Sequence, residues 1–302
     1  MYEMVLKYWT GLAGAALIVL CLGCGDAAPP VASLGIEPTE ITLGFPDFTK
    51  LSMRWEVKAP LGEVEGDPLV FVHLLDEPGS VIRTFDHPLR FDWQPGRTTE
   101  YEITLFQSAL APPLTPGSYL LSVGLYDTSG RRWPLEVAGE EVDRYEYQAG
   151  EILVVDSPEE TPRFTFSPSW MAIEGGVDGQ ILARRWLVGE GTIRVSGIAK
   201  AGTTLMVFNI PGPVSESEEL MLEEGAEQPT LEVVNSCGET EISASGFGIH
   251  EMELPVSEDA EGRIPDECEI LIRPNFHFLA IDTLGRRSVS LEVLAWSSQG
   301  SA

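Results

Sequence analysis

The chain of 302 residues contains four histidines, so it offers few candidates for acid–base or metal chemistry. The densest polar group that includes them is His73, Asp76, Asp86 and His87. Imidazole and carboxylate side chains bind divalent metals, but the number and spacing of these residues match no metal motif. His73 alternates with Phe71 on one strand face, which favours a partly buried, hydrogen-bonded histidine. We therefore expect no metal and no other cofactor, with a metal site as the minor alternative.

No motif of a known catalytic centre is present in the sequence. There is no GxSxG nucleophile elbow, HExxH zinc site, phosphate-binding loop or dinucleotide fingerprint. The 47 Asp and Glu residues could include a glycosidase pair, but so many carboxylates make chance pairs common. The sequence predicts a protein that is not an enzyme, and an unrecognised hydrolase is the least favoured interpretation.

A second group of residues, late in the chain, has side chains suited to sugar binding. Aromatic rings stack on pyranose rings, while Arg, Asn, His and Asp bond to hydroxyl groups. The candidate ligand-binding residues are Arg185, Trp186, Asn275, Phe276, His277 and Asp282. The competing interpretation is that most aromatic residues of this half, Trp170, Phe278 and Trp296 included, belong to the core.

The formal net charge of −28 restricts the partners of the protein. A surface this acidic repels phosphates, which makes a nucleic-acid partner improbable and disfavours direct docking on anionic lipids. Calcium, a basic partner or a neutral glycan is compatible with the charge, and so is a merely solvated surface.

An apolar run over residues 12–22 follows a weakly charged start. It is too short for a membrane span and fits the core of a signal peptide. Its end, Cys21-Leu22-Gly23-Cys24, resembles a bacterial lipobox, with Cys21 where that family usually has leucine. The resemblance implies a signal peptide over 1–23, lipidation of Cys24 and a membrane anchor through that lipid. An ordinary cleaved signal peptide and an uncleaved anchor are the alternatives.

Residues 24–33, rich in Pro and small side chains, are predicted to form a tether. Asp26 lies one place beyond the position that favours inner-membrane retention in lipoproteins, so the resemblance favours the outer membrane. We expect a cell-envelope protein on the periplasmic side or the cell surface.

Two cysteines remain after the leader and the lipidated residue are set aside. An even pair in an oxidising compartment predicts a disulfide between Cys237 and Cys268. Closing a loop of about 30 residues contributes about 3–4 kcal/mol in the loop-entropy model. Two buried thiols are the alternative, and a metal site is less favoured because these two cysteines lack CxxC spacing and no histidine pair is nearby.

Short strand-like runs divided by turn signals fill the rest of the chain. The first domain, predicted over 34–156, has such runs at 40–43, 51–57, 69–75, 80–85, 101–105, 118–126 and 151–155. Seven strands with regular turns predict an immunoglobulin-like β-sandwich. Strict alternation over 118–126 places Tyr119, Leu121, Val123 and Leu125 on the core face.

After a linker at 157–161, a second domain is predicted over 162–298, with a tail at 299–302. Its strand-like runs are at 180–187, 191–198, 203–208, 230–234, 239–243, 248–254, 268–273 and 289–296. This rhythm predicts a jelly-roll-like sandwich. The acidic stretch 215–228 is predicted to be a loop, with a short helix as the alternative.

Residues 69–135 resemble a β-sandwich module of bacterial envelope proteins. The resemblance is carried by VFVHLLDEPGSVIRTFDHPL and PPLTPGSYLLSVGLYDTSGRRWPL. That module often follows membrane-embedded glycosyltransferases of the dolichyl-phosphate-mannose type. It carries no catalytic residues, so the resemblance implies the fold and no activity.

The second domain resembles galactose-binding-like or carbohydrate-binding sandwiches, through Ala183-Arg184-Arg185-Trp186 and the stretches at 273–276 and 282–287. The sequence thus predicts a non-catalytic, lipid-anchored envelope protein that binds a glycan or another envelope component. The alternative is a structural or assembly lipoprotein whose sandwiches meet protein partners.

Overall fold

The structure is a computed structural model that describes residues 28–157, 161–175, 183–212, 218–238, 240–259, 261–280 and 286–298. The predicted leader, Cys24, most of the linker, Asp282 and the tail lie outside these ranges. Every regular element within them is a β-strand, which confirms the all-β class. Among these residues no helix has the length and apolarity to cross a membrane.

The first half of the chain forms twelve strands in two sheets. They are β1 (Ala32–Glu37), β2 (Glu40–Leu43), β3 (Phe48–Val57), β4 (Leu69–Leu75), β5 (Val81–Thr84), β6 (His87–Pro88), β7 (Thr98–Phe106), β8 (Gly117–Tyr126), β9 (Arg132–Trp133), β10 (Leu135–Glu136), β11 (Glu141–Asp143) and β12 (Glu146–Val154). Sheet I has the order β10-β1-β3-β7, and sheet II has the order β11-β12-β8-β4-β5. In sheet II, β2 also pairs with β12, β6 with β4 and β9 with β8.

The core of this sandwich follows from strand alternation. In β3, Leu51, Met53 and Trp55 are fully buried, while the residues between them face outward. In β8, the predicted core positions Leu121 and Val123 are also fully buried. The apolar faces of sheets I and II therefore pack against each other around one shared core.

The second half forms twelve further strands. They are β13 (Arg163–Phe166), β14 (Arg185–Trp186), β15 (Gly191–Ser196), β16 (Gly202–Ile210), β17 (Glu218–Leu222), β18 (Thr230–Asn235), β19 (Thr240–Ser245), β20 (Gly248–Val256), β21 (Glu267–Pro274), β22 (Phe276–Ala280), β23 (Arg286–Arg287) and β24 (Ser290–Ser297). Sheet III has the order β13-β15-β21-β18-β19, sheet IV β14-β24-β16-β20 and the small sheet V β17-β22-β23. A second core lies between sheets III and IV.

The strand β17 corrects the prediction of a loop in the acidic stretch. Leu220 and Leu222 are half-buried against the second core. β17 pairs antiparallel with β22, so Leu222 lies opposite Phe276. The backbone partner supplied by β22 and these two apolar contacts outweigh the low strand propensity of glutamate.

The two sandwiches meet through sheets I and IV. Every residue of β24 is buried, because one face lies in the second core and the other faces sheet I. Phe48 of β3 packs there with Leu205, Val293 and Ala295. At the border of this contact Lys50 forms ion pairs with two glutamates of β20. Sheets II, I, IV and III therefore form four successive layers.

The loop between β7 and β8 inserts the side chain of Leu110 into the second core at this interface. Leu110 is only 4% exposed and belongs to the core of the second sandwich. The amide of Ala109 donates to the carbonyl of Leu294 at 2.6 Å, and the amide of Leu294 donates to Ser108 Oγ at 3.2 Å. A loop of the first sandwich thus completes the core of the second.

The substitution Leu110→Ala is expected to lower the free energy of unfolding by about 2–4 kcal/mol, because it leaves a cavity at the domain interface. Urea denaturation measures the change. Leu153→Ala is the matched control, since Leu153 is 50% exposed and its truncation should cost less than about 0.5 kcal/mol. Equal losses of stability in the two variants would contradict the burial of Leu110 in the second core.

The predicted disulfide is present. Cys237 follows β18 and Cys268 lies in β21, and their Cα atoms are 5.4 Å apart. β18 and β21 are neighbours in sheet III, so the bond ties the end of one strand to the start of the other.

Candidate ligand groove on sheet II

The outer face of sheet II carries several polar side chains, because many apolar residues of its strands point to the inner face. In β4, Val70, Val72 and Leu74 point into the core, which turns Phe71 and His73 outward. The antiparallel register with β8 sets His73 opposite Ser122 and Phe71 opposite Gly124. The histidine is thereby placed at the centre of the sheet.

Gly124 makes room for the ring on which the site is built. A Cβ atom at this position would lie 2.1 Å from Cζ of Phe71 and 2.6 Å from the carbonyl oxygen of Tyr145. Phe71 is 2% exposed, His73 stacks on it with ring centroids 4.7 Å apart, and the guanidinium of Arg132 lies 4.8 Å from the ring centroid. Because Gly124 has no side chain, the Phe71 ring fits at this position and contacts both the imidazole of His73 and the guanidinium of Arg132.

The substitution Gly124→Ala is expected to lower the free energy of unfolding by about 1–3 kcal/mol. The added methyl group would clash with the Phe71 ring and with the backbone of Tyr145, and both would have to shift. Gly117→Ala on the same strand is the control, since its Cβ would meet only Tyr119 Cε2 at 3.9 Å. Thermal and urea denaturation report both variants. A Gly124→Ala protein as stable as the wild type would show that Phe71 is free to move away.

The carboxylate of Glu146 contacts both His73 and Arg132. Its Oε1 lies 3.2 Å from His73 Nδ1 and accepts a hydrogen bond from Ser122 Oγ at 2.6 Å. Its Oε2 lies 3.3 Å from Nη1 of Arg132, and His73 Nε2 lies 3.6 Å from Oδ1 of Asp86. Glu146 is 5% exposed and Ser122 is fully buried. This His73–Glu146 network connects β4, β8, β9 and β12 by side chains as well as backbone.

The charges in the network favour a protonated histidine. Burial by itself would lower the pKa of His73, but hydrogen bonds and charge from Asp86 and Glu146 outweigh it and raise the pKa to about 9. Burial opposes ionisation of Glu146, yet the hydrogen bonds from His73 and Ser122 and the nearby positive charges leave the pKa of its carboxyl below the ordinary value. At neutral pH the site is an ion pair.

This protonation state limits what the network can do chemically. A protonated His73 cannot accept a proton from a nucleophile, and the hydroxyl of Ser122 donates to Glu146 instead of to the imidazole. The arrangement is therefore a fixed set of charges, suited to positioning polar groups of a ligand.

The other two members of the predicted polar group, His87 and Asp76, bond to partners outside the network. His87 is buried, with Nε2 2.9 Å from the Tyr101 hydroxyl and Nδ1 3.1 Å from the carbonyl of Phe85, and burial lowers its pKa. Asp76 caps the turn between β4 and β5 by accepting the amide of Ser80 at 2.7 Å. Within the described residues, no three His, Cys, Asp or Glu side chains are grouped as metal ligands.

A groove of about 830 Å³ runs over this face of sheet II. Its apolar lining comes from Leu75, Val81, Leu120 and Val142, and its charged lining includes His73, Arg132, Glu146, Glu77, Asp143 and Glu151. The volume is in the range of small-molecule sites. The sequence identified His73 but gave no sign of Glu146, which lies before the predicted start of β12.

The predicted aromatic residues of the second sandwich are inside it. Trp186 is 6% exposed, donates from Nε1 to Glu174 Oε2 at 3.0 Å, and has the guanidinium of Arg287 4.6 Å from its ring centroid. Phe276 is 3% exposed and packs against Phe278. These rings offer no free face on which a sugar could stack, as expected if they are core residues.

The polar candidates nearby also have internal contacts. Arg185 donates from Nε to the carbonyl of Met171 at 2.8 Å and lies over the ring of Phe166. Asn275 accepts the amide of Thr230 at 2.6 Å. His277 lies opposite Met221 in the β17–β22 pair, and Asp282 is outside the described residues. Ligand binding by these four residues stays a prediction.

Comparison with known proteins adds little. No family model matches the sequence, and no curated protein does. Among solved structures, the chain is similar to a Pseudomonas fluorescens alkylpurine DNA glycosylase AlkC bound to DNA containing an abasic site analog. The sequence identity is 14% and the TM-score 0.26, and the similarity covers 41% of this chain and 31% of the glycosylase. A TM-score of this size supports no inference about fold or function.

Proposed function

We propose that the protein is a non-catalytic, lipid-anchored protein of the cell envelope that binds a glycan or another envelope component in the groove on sheet II. The observation that carries the proposal is the groove itself. It combines a volume of about 830 Å³ with apolar walls and charged groups held in place by the His73–Glu146 network. Fixed polar groups in an apolar setting are what orient a ligand without being reorganised by it.

The charge of the lining favours a neutral or cationic ligand. Glu77 and Glu151 are exposed on the rim, and their carboxylates can accept hydrogen bonds from hydroxyl or ammonium groups. Leu120 and Val142 provide apolar surface for the carbon face of a sugar ring. An anionic ligand would be repelled by the rim and by the net charge of −28.

Two features support the location in the envelope. The sequence ending at Cys24 resembles a lipobox, and the disulfide between Cys237 and Cys268 suits an oxidising compartment. The proposed lipid would hold the protein on a membrane, with the outer membrane favoured by the position of Asp26.

A glycan array with the full-length protein and two matched variants tests the groove. Val142→Arg adds a long cation to the groove wall and is expected to reduce binding at least tenfold, on the order of 1.4 kcal/mol. Leu153→Arg is the control: Leu153 is exposed on β12, outside the groove lining. Val142 is itself 41% exposed, so neither substitution should disturb folding. Binding that Val142→Arg leaves intact, or no binding to any glycan or envelope component, would reject the groove.

The alternative function is structural or assembly work with protein partners. It is favoured by two exposed apolar side chains near the turn between β19 and β20: Phe247 in the turn is 49% exposed, and Ile249 at the start of β20 is 63% exposed. Cross-linking in intact envelopes distinguishes the two. A reproducible protein cross-link that Phe247→Ser and Ile249→Ser abolish, without any effect of Val142→Arg, would favour the alternative.

A further inference from the structure

The acidic charge of the protein is not uniform. Three arginines, Arg131, Arg132 and Arg144, line one pocket of about 660 Å³ at the end of the first sandwich. Asp143 is the one acidic residue in that lining. In a chain with 47 acidic and 19 basic side chains, this is a local reversal of sign.

Two of these arginines are held in place without being neutralised. Arg131 lies over the ring of Trp133, with 5.3 Å from Cζ to the centroid, and donates to the carbonyl of Glu63. Arg144 lies over the ring of Tyr145 at 5.4 Å. Both are exposed, and in the described part of the chain no carboxylate is within ion-pair distance of either guanidinium. Arg132, by contrast, is bound to Asp143 and Glu146.

The backbone presents both groups from tight turns. Gly130 has a φ of 81° in the turn before Arg131, a conformation that glycine adopts without strain. Tyr145 has a φ of 55°, the left-handed region that non-glycine residues rarely occupy. Its amide donates to Glu141 Oε1 at 2.7 Å, which secures the turn that carries Arg144.

The pocket also lies where the chain arrives from its amino end. Ala28 and Pro29 form part of its lining. Only four peptide links separate Ala28 from Cys24, a span of at most about 14 Å. An anchor at Cys24 would therefore hold the edge of this pocket at most about 14 Å from the membrane surface, a tether short enough for the arginines to come within the Debye length of about 8 Å, where charge still acts.

We propose that the pocket between Arg131, Arg132 and Arg144 binds phosphate groups of anionic lipids and fixes the orientation of the anchored protein. The inference rests on the lipid anchor of the proposed function. The arginine end faces the headgroups while the acidic remainder is repelled, so the second sandwich stands away from the membrane. The net charge of −28 disfavours direct docking on anionic lipid, and the local excess of arginine at this pocket reverses that expectation.

The test uses the mature acylated protein, which begins at Cys24, in vesicles of phosphatidylcholine, with or without about one-quarter phosphatidylglycerol. Hydrogen–deuterium exchange is followed in peptides that cover residues 130–134 and 143–147. We expect exchange there to slow several-fold with the anionic lipid and to recover in about 1 M salt, where the Debye length falls to about 3 Å. Each basic side chain near an anionic surface changes binding by about fivefold. The double variant R131E/R144E should therefore lose the protection.

A control variant and separate outcomes distinguish failure of the arginine pocket from failure of the lipid anchor. R54E/R163E reverses two exposed arginines that do not line the pocket and should retain full protection. If the double charge reversal unfolds the domain, R144E alone is used. Exchange that is identical in both vesicles rejects the arginine pocket, and so does equal protection by inorganic phosphate with neutral vesicles. Failure of the protein to float with neutral vesicles instead rejects the lipid anchor.

Discussion

Replacement of Glu146 by alanine is expected to lower the free energy of unfolding by about 3–5 kcal/mol. The change leaves the hydroxyl of Ser122 without its acceptor and the half-buried His73 cation with only Asp86, at 3.6 Å, and removal of one partner from a largely buried ion pair is costly. Glu146→Gln should lose less, about 1–3 kcal/mol, because the amide oxygen still accepts a hydrogen bond. Glu151→Ala, on the exposed side of the same strand, should change stability by less than about 0.5 kcal/mol.

The same network predicts how stability depends on pH. The pKa of His73 is raised from 6.5 to about 9 in the folded protein, so its contribution is fully present below pH 6.5 and is lost as the pH rises through 9. The pKa of Glu146 is lowered from 4.5, so its contribution is present above pH 4.5 and is lost in acid. Urea denaturation of wild type and His73→Gln should therefore differ most near pH 5–6.5 and converge above pH 9. A difference that does not change with pH would contradict the ion pair.

Substitution of both Cys237 and Cys268 by serine is expected to lower the free energy of unfolding by about 3–4 kcal/mol. The bond closes a separation of 31 residues, and removal of that constraint increases the entropy of the unfolded chain. Because the disulfide joins β18 to β21, the loss should appear in the second sandwich, where sheet III loses a covalent tie. Ser236→Ala, next to the disulfide, is the control for local packing and hydrogen bonding.

Reduction provides an independent measurement of the same bond. Wild-type protein in excess reductant should show the stability of the double serine variant, whereas the variant itself should not respond to reductant. A wild type whose unfolding is unchanged by reductant, with free thiols shown by alkylation, would contradict a stabilising disulfide.

Local patterns in the sequence predicted the strands that have one clear apolar face. β2 and β4 begin and end at the predicted residues, because Ile, Leu and Val alternate or run together between turn residues. β12 starts five residues before the prediction, at Glu146, since its early part combines glutamate, glutamine and glycine. A register shift between Gln148 and Gly150 interrupts the alternation there. The residue at the centre of the network was therefore hidden by the irregularity of its own strand.

The positions of several turns could also be predicted from the sequence, and the structure shows why. In three turns an aspartate accepts backbone amides of its own turn, and the glycine three places later has a positive φ. The pairs are Asp76 with Gly79, Asp127 with Gly130, and Asp259 with Gly262.

Contacts between distant parts of the chain could not be predicted from the sequence. Nothing near Leu110 indicates that it enters another domain, and the two-sided burial of β24 depends on sheet I. The same holds for the candidate site: His73 and Glu146 are 73 positions apart and meet only through the order of sheet II. Burial of Trp186 and Phe276 likewise follows from tertiary packing, which residue type alone does not settle.

Mass spectrometry of the amino-terminal peptide from isolated membranes tests the lipid anchor. We expect a chain that begins at Cys24 and carries a diacylglyceryl thioether, recovered in the membrane fraction. An unmodified chain that begins at Met1 and is recovered in the soluble fraction would contradict it.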